Sequence, residues 1–410
     1  MNTIGNKIKN GLGIYLGLPG AVYILFFGKL INCIGAFISP LLSLILTQKI
    51  GMSVNESGFF VTMAMVIQAP CVIVGGKLVD KYGGKKVIGI FQGLSGILFM
   101  ICGLINPSRE LAILMIVASA ISSISYPAYD SIVGDVTNLK NRKASFSLIY
   151  MGLNIGFSVG PAIGGLLFQK HLELIFIGDG FTTLISAALI GIFIKGKHHK
   201  SNENTDENSL EAAEEGSVLS VLIKRPILLY YALAMLTYSF AYSQWGYAIP
   251  IHLEQLFNGS GAKYFGILGS INGFVVIVLT PLITALTRKY NIIKIIATGG
   301  ILYFVAFGSC SIIKSFPLFI VMIIIMTIGE ILISTNSGTF LTNNTPESHR
   351  GRVNAVIPMI SGIGTSIGPL IMGNMITSLS INKAWFVVSM VVLIGSICMY
   401  SLSKMKHRNV

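Results

Sequence analysis

Charged residues and cysteines are both scarce in this 410-residue chain. Asp, Glu, Lys and Arg make up only 11% of it while 53% is hydrophobic, which excludes an ordinary soluble domain, where about a quarter of the residues are charged. The five cysteines lie in or beside apolar runs without paired spacing, so a disulfide framework is not predicted. We find no metal-ligand cluster, phosphate-binding loop or nucleophile triad, and therefore predict neither an enzyme nor a cofactor.

Long apolar runs are what the chain does contain. Twelve of them approach or exceed the roughly 20 residues that a helix needs to cross a bilayer. Backbone groups in lipid must be satisfied within the segment, so these runs are predicted to be helices. We expect an all-α integral membrane protein of two pseudo-symmetric six-helix bundles, over residues 1–195 and 226–410, joined by a polar cytoplasmic loop over residues 196–225.

Basic residues outnumber acidic ones, 29 to 16, giving a net charge of +13. With an internal N-terminus most of the Lys and Arg fall in inner loops, which is the positive-inside bias. The charge therefore indicates anionic lipid head groups rather than nucleic acid as the partner. It also predicts a multi-pass protein of the plasma membrane with both termini in the cytoplasm, and no cleavable signal peptide is recognisable at the start.

An internal repeat joins the two halves. Arg142 precedes Gly160-Pro161 by 18 residues, and 208 residues later Arg350 precedes Gly368-Pro369 by the same distance. A repeat of this size in an apolar chain is typical of a transporter built from two similar halves around a site near the bilayer midplane.

The loop after the second apolar run contains, in order, Gly76, Asp80, Lys81, Gly83 and Lys85. It resembles the signature loop of the major facilitator superfamily, and the other features of that resemblance, twelve helices and a central loop, cover nearly the whole chain. The resemblance implies a major facilitator fold and an inner latch that holds the outward-facing state, formed by Gly76, Asp80, Lys81, Gly83, Lys85, Asp135 and Arg142. The alternative is that the basic residues only set topology.

One position departs from that pattern. The superfamily usually has a basic residue directly after the second glycine of the loop, where this chain has Gly84. That residue would pair with an acid at the inner end of the fourth helix, here Asp135. Either Lys85 takes its place or the latch is weaker.

Glycines recur every four residues in the fifth apolar run, which favours close helix packing. The pattern Gly156, Gly160, Pro161, Gly164 and Gly165 resembles the antiporter motif of drug:proton exporters in the same superfamily. That resemblance implies export, although packing alone also explains the pattern.

Acids within the membrane are costly and usually mark ion paths or paired sites. Glu330 lies centrally in the tenth run, with Thr327, Ser334 and Ser337 on the same helical face. Loss of water around a carboxylate favours its neutral form, so we predict that Glu330 carries the coupling proton. The segment also resembles the tenth helix of the lactococcal multidrug-exporter branch, which implies a proton or drug role. The alternative is a fixed structural pair, for example with Lys29.

Two further acids lie in the first half. Asp130 follows a polar stripe in the fourth run and is a second proton-coupling candidate, the alternative being a snorkelling or paired acid. Asp179, in the sixth run, is expected to be structural, with proton entry from the outer side as the alternative.

The substrate cavity is predicted from polar and aromatic side chains. Lys29 is a counter-charge for an acid, a contact for an anionic substrate group, or a snorkelling cation. Aromatic faces bind flat apolar cations, and helix packing or an interfacial belt is the alternative for the aromatic residues of the seventh run. The predicted lining is Lys29, Asn32, Tyr126, Tyr231, Tyr238, Tyr242, Trp245 and Ser334.

The sequence and its resemblance together imply a proton-coupled secondary transporter that exports amphipathic or cationic drug-like compounds by alternating access. It is expected to act as a monomer, with the proton as its coupling ion. A carrier dedicated to one metabolite or lipid-like substrate is the first alternative. A non-transporting membrane receptor or scaffold is the second.

Overall fold

A computed structural model describes residues 15–138, 140–194, 226–345 and 350–404, and the predicted loop at 196–225 lies outside these ranges. Helices dominate the described residues because apolar runs in this chain are long and rarely interrupted. In chain order the helical segments are α1 Gly20–Lys49, α2 Val54–Tyr82, α3 Gly84–Cys102, α4 Arg109–Val136, α5 Arg142–Leu167, α6 Leu172–Phe193, α7 Pro226–Phe257, α8 Gly261–Thr287, α9 Ile292–Ser309, α10 Phe316–Asn344, α11 Arg350–Ser378 and α12 Ile381–Leu402. The expected all-α architecture is confirmed.

The segments differ in how apolar they are. Eleven of those described are long and apolar enough to cross a membrane, and α7 is not among them. At 32 residues α7 is the longest continuous helix described, but it carries five tyrosines together with Gln244 and His252. Its polar groups are accommodated by packing, since Gln244 and His252 are both buried.

The chain divides into two compact units that do not follow a single cut. Of the described residues, those up to 50 and those from 63 to 194 form the first unit, and those from 51 to 62 and from 226 onward form the second. The first turns of α2 therefore belong to the second unit, a feature that the sequence did not predict.

In the first unit the glycine ridge of α5 lies against α1. A Cβ on Gly156 would come within 2.3 Å of the Cβ of Cys33, and one on Gly160 would lie 2.9 Å from the carbonyl oxygens of Cys33 and Ile34. The glycines therefore permit backbone contact that no other residue would allow.

The same unit contains a break in α1. Its helix pauses at Gly35 and resumes at Ile38. Asp179 of α6, only 7% exposed, accepts the Ile38 N–H through Oδ2 at 3.2 Å. A carboxylate at a helix start satisfies an orphan donor and complements the helix dipole. This bond supports the structural interpretation of Asp179.

In the second unit α11 repeats the role of α5. A Cβ on Gly364 would meet the backbone of Leu236 in α7, and one on Gly368 would meet the Ser243 hydroxyl. The repeat seen in the sequence thus corresponds to the same kind of helix contact in each unit.

The first turns of α2 join this packing. The Ser57 hydroxyl lies 3.0 Å from the Tyr247 hydroxyl of α7. A Cβ on Gly58 would clash with the Pro369 carbonyl of α11, and the Thr62 hydroxyl accepts the Leu370 N–H at 3.2 Å. Small side chains on α2 and α11 therefore bring the three helices together.

Candidate functional site

A single carboxylate forms the centre of a polar cluster in the second unit. Glu330 of α10 is partly buried, and each of its oxygens accepts one hydrogen bond. The Tyr242 hydroxyl donates to Oε1 at 3.0 Å, and the Asn272 amide donates to Oε2 at 3.1 Å. The four residues Glu330, Tyr242, Asn272 and Thr327 are called the Glu330 cluster below.

The hydrogen bonds in this cluster fix which group donates and which accepts. Thr327 donates its hydroxyl proton to the Ile323 carbonyl at 2.7 Å, so its oxygen can only accept, and the Asn272 amide donates to it at 2.8 Å. One amide group is therefore shared between a hydroxyl oxygen and a carboxylate oxygen. Among the described residues no Lys, Arg or His forms an ion pair with Glu330.

Aromatic rings fix the hydroxyl that contacts Glu330. The Tyr242 ring stacks on Tyr303 with centroids 6.1 Å apart, and Tyr238 meets Tyr303 edge-on at 6.3 Å. The column continues through Phe307 to Trp385, whose indole N–H donates to His252 Nδ1 at 3.1 Å. The stacking on Tyr303 holds the Tyr242 ring in place next to Glu330.

Some of the α7 aromatics predicted to line the cavity are buried by this packing and others are not. Tyr231 and Tyr238 are each only 1% exposed: Tyr231 stacks on Phe340 and Tyr238 donates to Ser396. In this conformation these two side chains pack in the interior and do not line an accessible surface.

Two other members of the predicted lining are reachable. Trp245 is partly exposed beside Phe265, with ring centroids 4.8 Å apart. Ser334 of α10 is exposed, one turn beyond Glu330. Of the four α7 aromatics in the predicted lining, Tyr242 and Trp245 are therefore the two that stay partly exposed.

The first unit has a polar cluster of opposite charge. The Lys29 ammonium of α1 lies 4.7 Å from the ring centroid of Tyr129 and 6.0 Å from that of Tyr126, both in α4. Among the described residues no carboxylate lies within 4.0 Å of Lys29 Nζ and no hydrogen bond to it is formed. Lys29, Tyr126 and Tyr129 are called the Lys29 site below.

Neighbouring groups hold the Lys29 site in place. The buried Tyr129 hydroxyl donates to Gln92 at 3.0 Å and lies 3.2 Å from the Ser186 hydroxyl. Asn32, one turn along α1 from Lys29, donates its amide to Thr183 of α6 at 2.9 Å. The predicted cavity residue Asn32 is thus hydrogen-bonded within its own unit.

Asp130 acts on the Lys29 ammonium through its charge but forms no direct ion pair with it. Its side chain is exposed, and among the described residues it forms no hydrogen bond or ion pair. Its proton-coupling role stays a prediction.

The predicted latch loop has a sharp turn at its centre. Gly83 ends α2 with a φ of +84°, a conformation that favours glycine. The next residue, Gly84, packs on α4, where a Cβ would lie 2.8 Å from Ile132 and 2.9 Å from the Ala128 carbonyl. The position that is basic elsewhere in the superfamily therefore serves as a close helix contact here.

The charges of the latch remain apart in this structure. Asp80, Lys81 and Asp135 are exposed, and within the described ranges no ion pair joins either acid to a basic residue. Arg142 instead donates to the Gly134 and Thr137 carbonyls at 3.4 Å, at the end of α4. The latch stays a prediction.

Sequence reasoning missed two residues that the structure brings into these sites. Asn272 stands between glycine and apolar residues in α8, and only the fold shows that its amide reaches Glu330. Tyr129 shares the segment YPAY with Tyr126, but its ring is the nearer one to Lys29. A helical-spacing search from Tyr126 would have found it, since the two are three residues apart.

Comparisons with known proteins agree with the fold. The Major Facilitator Superfamily model matches residues 25–369 and 265–409. The uncharacterised transporter YttB of Bacillus subtilis (strain 168) is 26% identical over 92% of this chain and 93% of its own length.

Two other relatives have names that describe an activity. The Na(+), Li(+), K(+)/H(+) antiporter of Planococcus maritimus is 23% identical over 81% of this chain and 83% of its own length. Multidrug resistance protein 1 of Bacillus subtilis (strain 168) is 22% identical over 85% of this chain and 87% of its own length. Among solved structures, a POT family transporter in complex with a thioalcohol-conjugated peptide is similar with a TM-score of 0.78 and 14% identity, covering 95% of this chain and 97% of that one.

Proposed function

The chain belongs to the major facilitator superfamily and is a multi-pass membrane transporter, not an enzyme, and from that premise we propose that it exports amphipathic or cationic drug-like compounds in exchange for protons. The observation that carries the proposal is the environment of Glu330. Its carboxylate is held only by the neutral donors Tyr242 and Asn272 among the described residues. A carboxylate without a cationic partner can be neutralised without leaving a buried cation unpaired.

The cluster suits a proton that binds and leaves. When Glu330 is ionised, the Asn272 amide and the Tyr242 hydroxyl stabilise both oxygens, since hydrogen bonds to a charged acceptor are the stronger ones. When Glu330 takes up a proton, its charge disappears and so does its attraction for a cation. A proton and a cationic substrate therefore compete for one group, which is the requirement for exchange.

Direction follows from the two gradients. A ligand shifts the balance between two conformations only by its differential affinity for them. Protonation of Glu330 from the side of higher proton concentration favours one conformation, and release on the other side restores the charge that attracts the next substrate. We propose that this occurs in a monomer in the plasma membrane, with both termini in the cytoplasm and no cofactor besides the proton.

Three similarities support export of several compounds rather than uptake of one. The helix 5 pattern at Gly160-Pro161 resembles that of drug:proton exporters, and the chain is similar to a protein named Multidrug resistance protein 1. The α10 segment around Glu330 also resembles the lactococcal multidrug-exporter branch. A carrier for one metabolite is the remaining alternative of the transporter class.

A second candidate function is exchange of an alkali cation for protons. The chain is similar to a relative named for Na(+), Li(+) and K(+) exchange against H(+). The Glu330 cluster offers a carboxylate and two hydroxyl oxygens, which are ligand types suited to hard cations. Such exchange would use the same carboxylate.

The deciding experiment measures proton movement in proteoliposomes with an imposed pH gradient. Wild type and Glu330→Gln are compared, with addition of an ethidium-type dye, of other lipophilic cations, or of Na⁺, Li⁺ or K⁺. We expect the dye to drive proton movement in wild type, and Glu330→Gln to lose it.

Glu173→Gln is the matched control, because Glu173 is an exposed glutamate whose partner is His171. Its coupling should equal that of wild type. If only an alkali cation drives proton movement, exchange of alkali cations for protons becomes the assigned function in place of drug export. If nothing in the panel moves protons, the multidrug proposal is wrong and a dedicated carrier becomes the leading interpretation.

A further inference from the structure

The Lys29 site contains a cation whose hydrogen-bonding capacity is unused. An ammonium group has three N–H donors and no acceptor. Lys29 is partly buried, its ammonium lies over the faces of Tyr129 and Tyr126, and among the described residues it forms no hydrogen bond or ion pair. A cation over an aromatic face is attracted by the ring electrons, but this attraction leaves the three N–H donors without acceptors.

The neighbouring acceptors are occupied or out of reach. The Tyr129 hydroxyl is engaged with Gln92 and Ser186, and Thr183 receives the Asn32 amide. Asp130, next to Tyr129 in sequence, has the nearest carboxylate along α4, yet it does not come within 4.0 Å of the ammonium. Asp130 therefore acts on Lys29 only from a distance, and no described carboxylate forms a direct ion pair with the ammonium.

An aromatic surface lies beside the cation. The Tyr126 side chain is 49% exposed and its ring centroid is 6.0 Å from Lys29 Nζ. Flat rings stack on such a face, and a negative group attached to the ring would reach the ammonium. Away from bulk water this charge pair is stronger than it would be in solution.

We propose that the Lys29 site binds the carboxylate of an aromatic carboxylic acid, so that the transported compounds include aryl carboxylates and zwitterions as well as cations. This inference rests on the proposed function only in that the chain transports organic compounds. The carboxylate accepts hydrogen bonds from Lys29 Nζ, while its ring stacks on Tyr126. The Tyr129 ring, held through its hydroxyl, keeps the ammonium in position.

The test uses equilibrium binding, so that it does not depend on proton coupling. The probes are rhodamine B, which has a benzoate carboxylate, and its methyl ester, which lacks that charge. Binding to the full-length protein in lipid nanodiscs is followed by fluorescence anisotropy. We expect wild type to bind rhodamine B more tightly than the ester, and Lys29→Met to lose at least about tenfold of the rhodamine B affinity while ester binding changes less than twofold.

Two further variants show whether an effect of Lys29→Met is specific or reflects a general loss of structure. Lys29→Arg keeps the charge and should retain most of the preference for the carboxylate. Lys294→Met is the matched control, because Lys294 also lies near a tyrosine, 6.0 Å from the ring of Tyr400, and it should leave both affinities unchanged.

Three results would overturn the proposal. The first is a wild type that binds no carboxylate more tightly than its ester, across rhodamine B and a set of smaller aryl carboxylates with their esters. The second is equal weakening of acid and ester by Lys29→Met. The third is an unchanged preference in Lys29→Met. If the carboxylate preference is present but no compound moves protons, the Lys29 inference stands and the exporter proposal fails.

Discussion

The two halves of this transporter use the same helix contacts and carry different chemistry. In the first unit the glycines of α5 lie on α1, and in the second the glycines of α11 lie on α7. Each unit also has an asparagine that donates to a threonine hydroxyl, Asn32 to Thr183 at 2.9 Å and Asn272 to Thr327 at 2.8 Å. Only Asn272 reaches a carboxylate as well.

This difference shows how a duplicated scaffold can divide its tasks. Backbone contacts at glycines depend on shape alone, so both copies need them. A charged group depends on what surrounds it, so each unit can hold a charge of its own sign: a cation on aromatic rings in the first unit and a carboxylate between neutral donors in the second. The predictions below test whether that division is real.

The largest effect is expected at the shared glycines. Gly156→Leu and Gly364→Leu each force a side chain into a neighbouring helix, so each should lower the free energy of unfolding by about 3 kcal/mol. Denaturant titration of the purified protein in detergent, followed by helix content, measures this loss.

The controls are glycines with open surroundings. Gly191 and Gly362 have no atom within 4 Å of an added Cβ, so leucine there should change stability by no more than about 0.5 kcal/mol. A large loss in one unit and none in the other would contradict the equivalence of the two scaffolds.

A smaller effect is expected at the two asparagines. Asn272→Leu leaves Glu330 Oε2 and Thr327 without their donor, at a cost of about 1 to 3 kcal/mol, and substrate-driven proton movement should fall roughly tenfold. Asn32→Leu removes an equivalent amide–hydroxyl bond but no contact to a carboxylate.

For each of the two variants, two quantities are measured: the free energy of unfolding, and substrate-driven proton movement in proteoliposomes. Both variants should lose comparable stability, whereas only Asn272→Leu should lose coupling. Equal loss of coupling in the two variants would show that protons pass through both units.

The smallest effect is expected at two buried acids outside the clusters. Asp179 accepts the Ile38 N–H, and Glu254 accepts the N–H groups of Gly259 and Gly261 at 2.6 and 2.9 Å. Asp179→Asn and Glu254→Gln should each cost about 1 kcal/mol of stability, as removal of a helix cap does, without change in proton movement. If Asp179→Asn abolished proton movement, Asp179 would be part of the proton path and not only structural.

Much of the fold could be predicted because it depends on long-range composition. Runs of apolar residues define the helices, and the repeated Gly-Pro pairs at residues 160 and 368 define the duplication. The division of α2 at residue 62 could not be predicted, because it depends on small residues such as Gly58 fitting against a helix more than 300 residues later.

The candidate site was predictable only where one residue stands out. Glu330 is a lone acid in an apolar run, so its cost in lipid identifies it. Tyr129 is indicated only by its three-residue spacing from Tyr126. Asn272 has no signal of either kind, since polar residues occur throughout these helices and their direction is set by packing. The same cause explains Tyr231 and Tyr238, which helical spacing groups with Tyr242 but which the fold buries.

The composition of α7 has a consequence for how the protein is made. Insertion of a segment into the membrane as it leaves the ribosome depends on its own hydrophobicity, and α7 is the described segment that is not apolar enough to count as a membrane span by itself. Two of the groups that cover its polar side chains, Ser396 for Tyr238 and Trp385 for His252, belong to α12, the last helix to be synthesised. We therefore expect the packing of α7 to be completed only at the end of translation, so a chain truncated before α12 should expose α7 to quality-control proteases while the first six helices remain inserted.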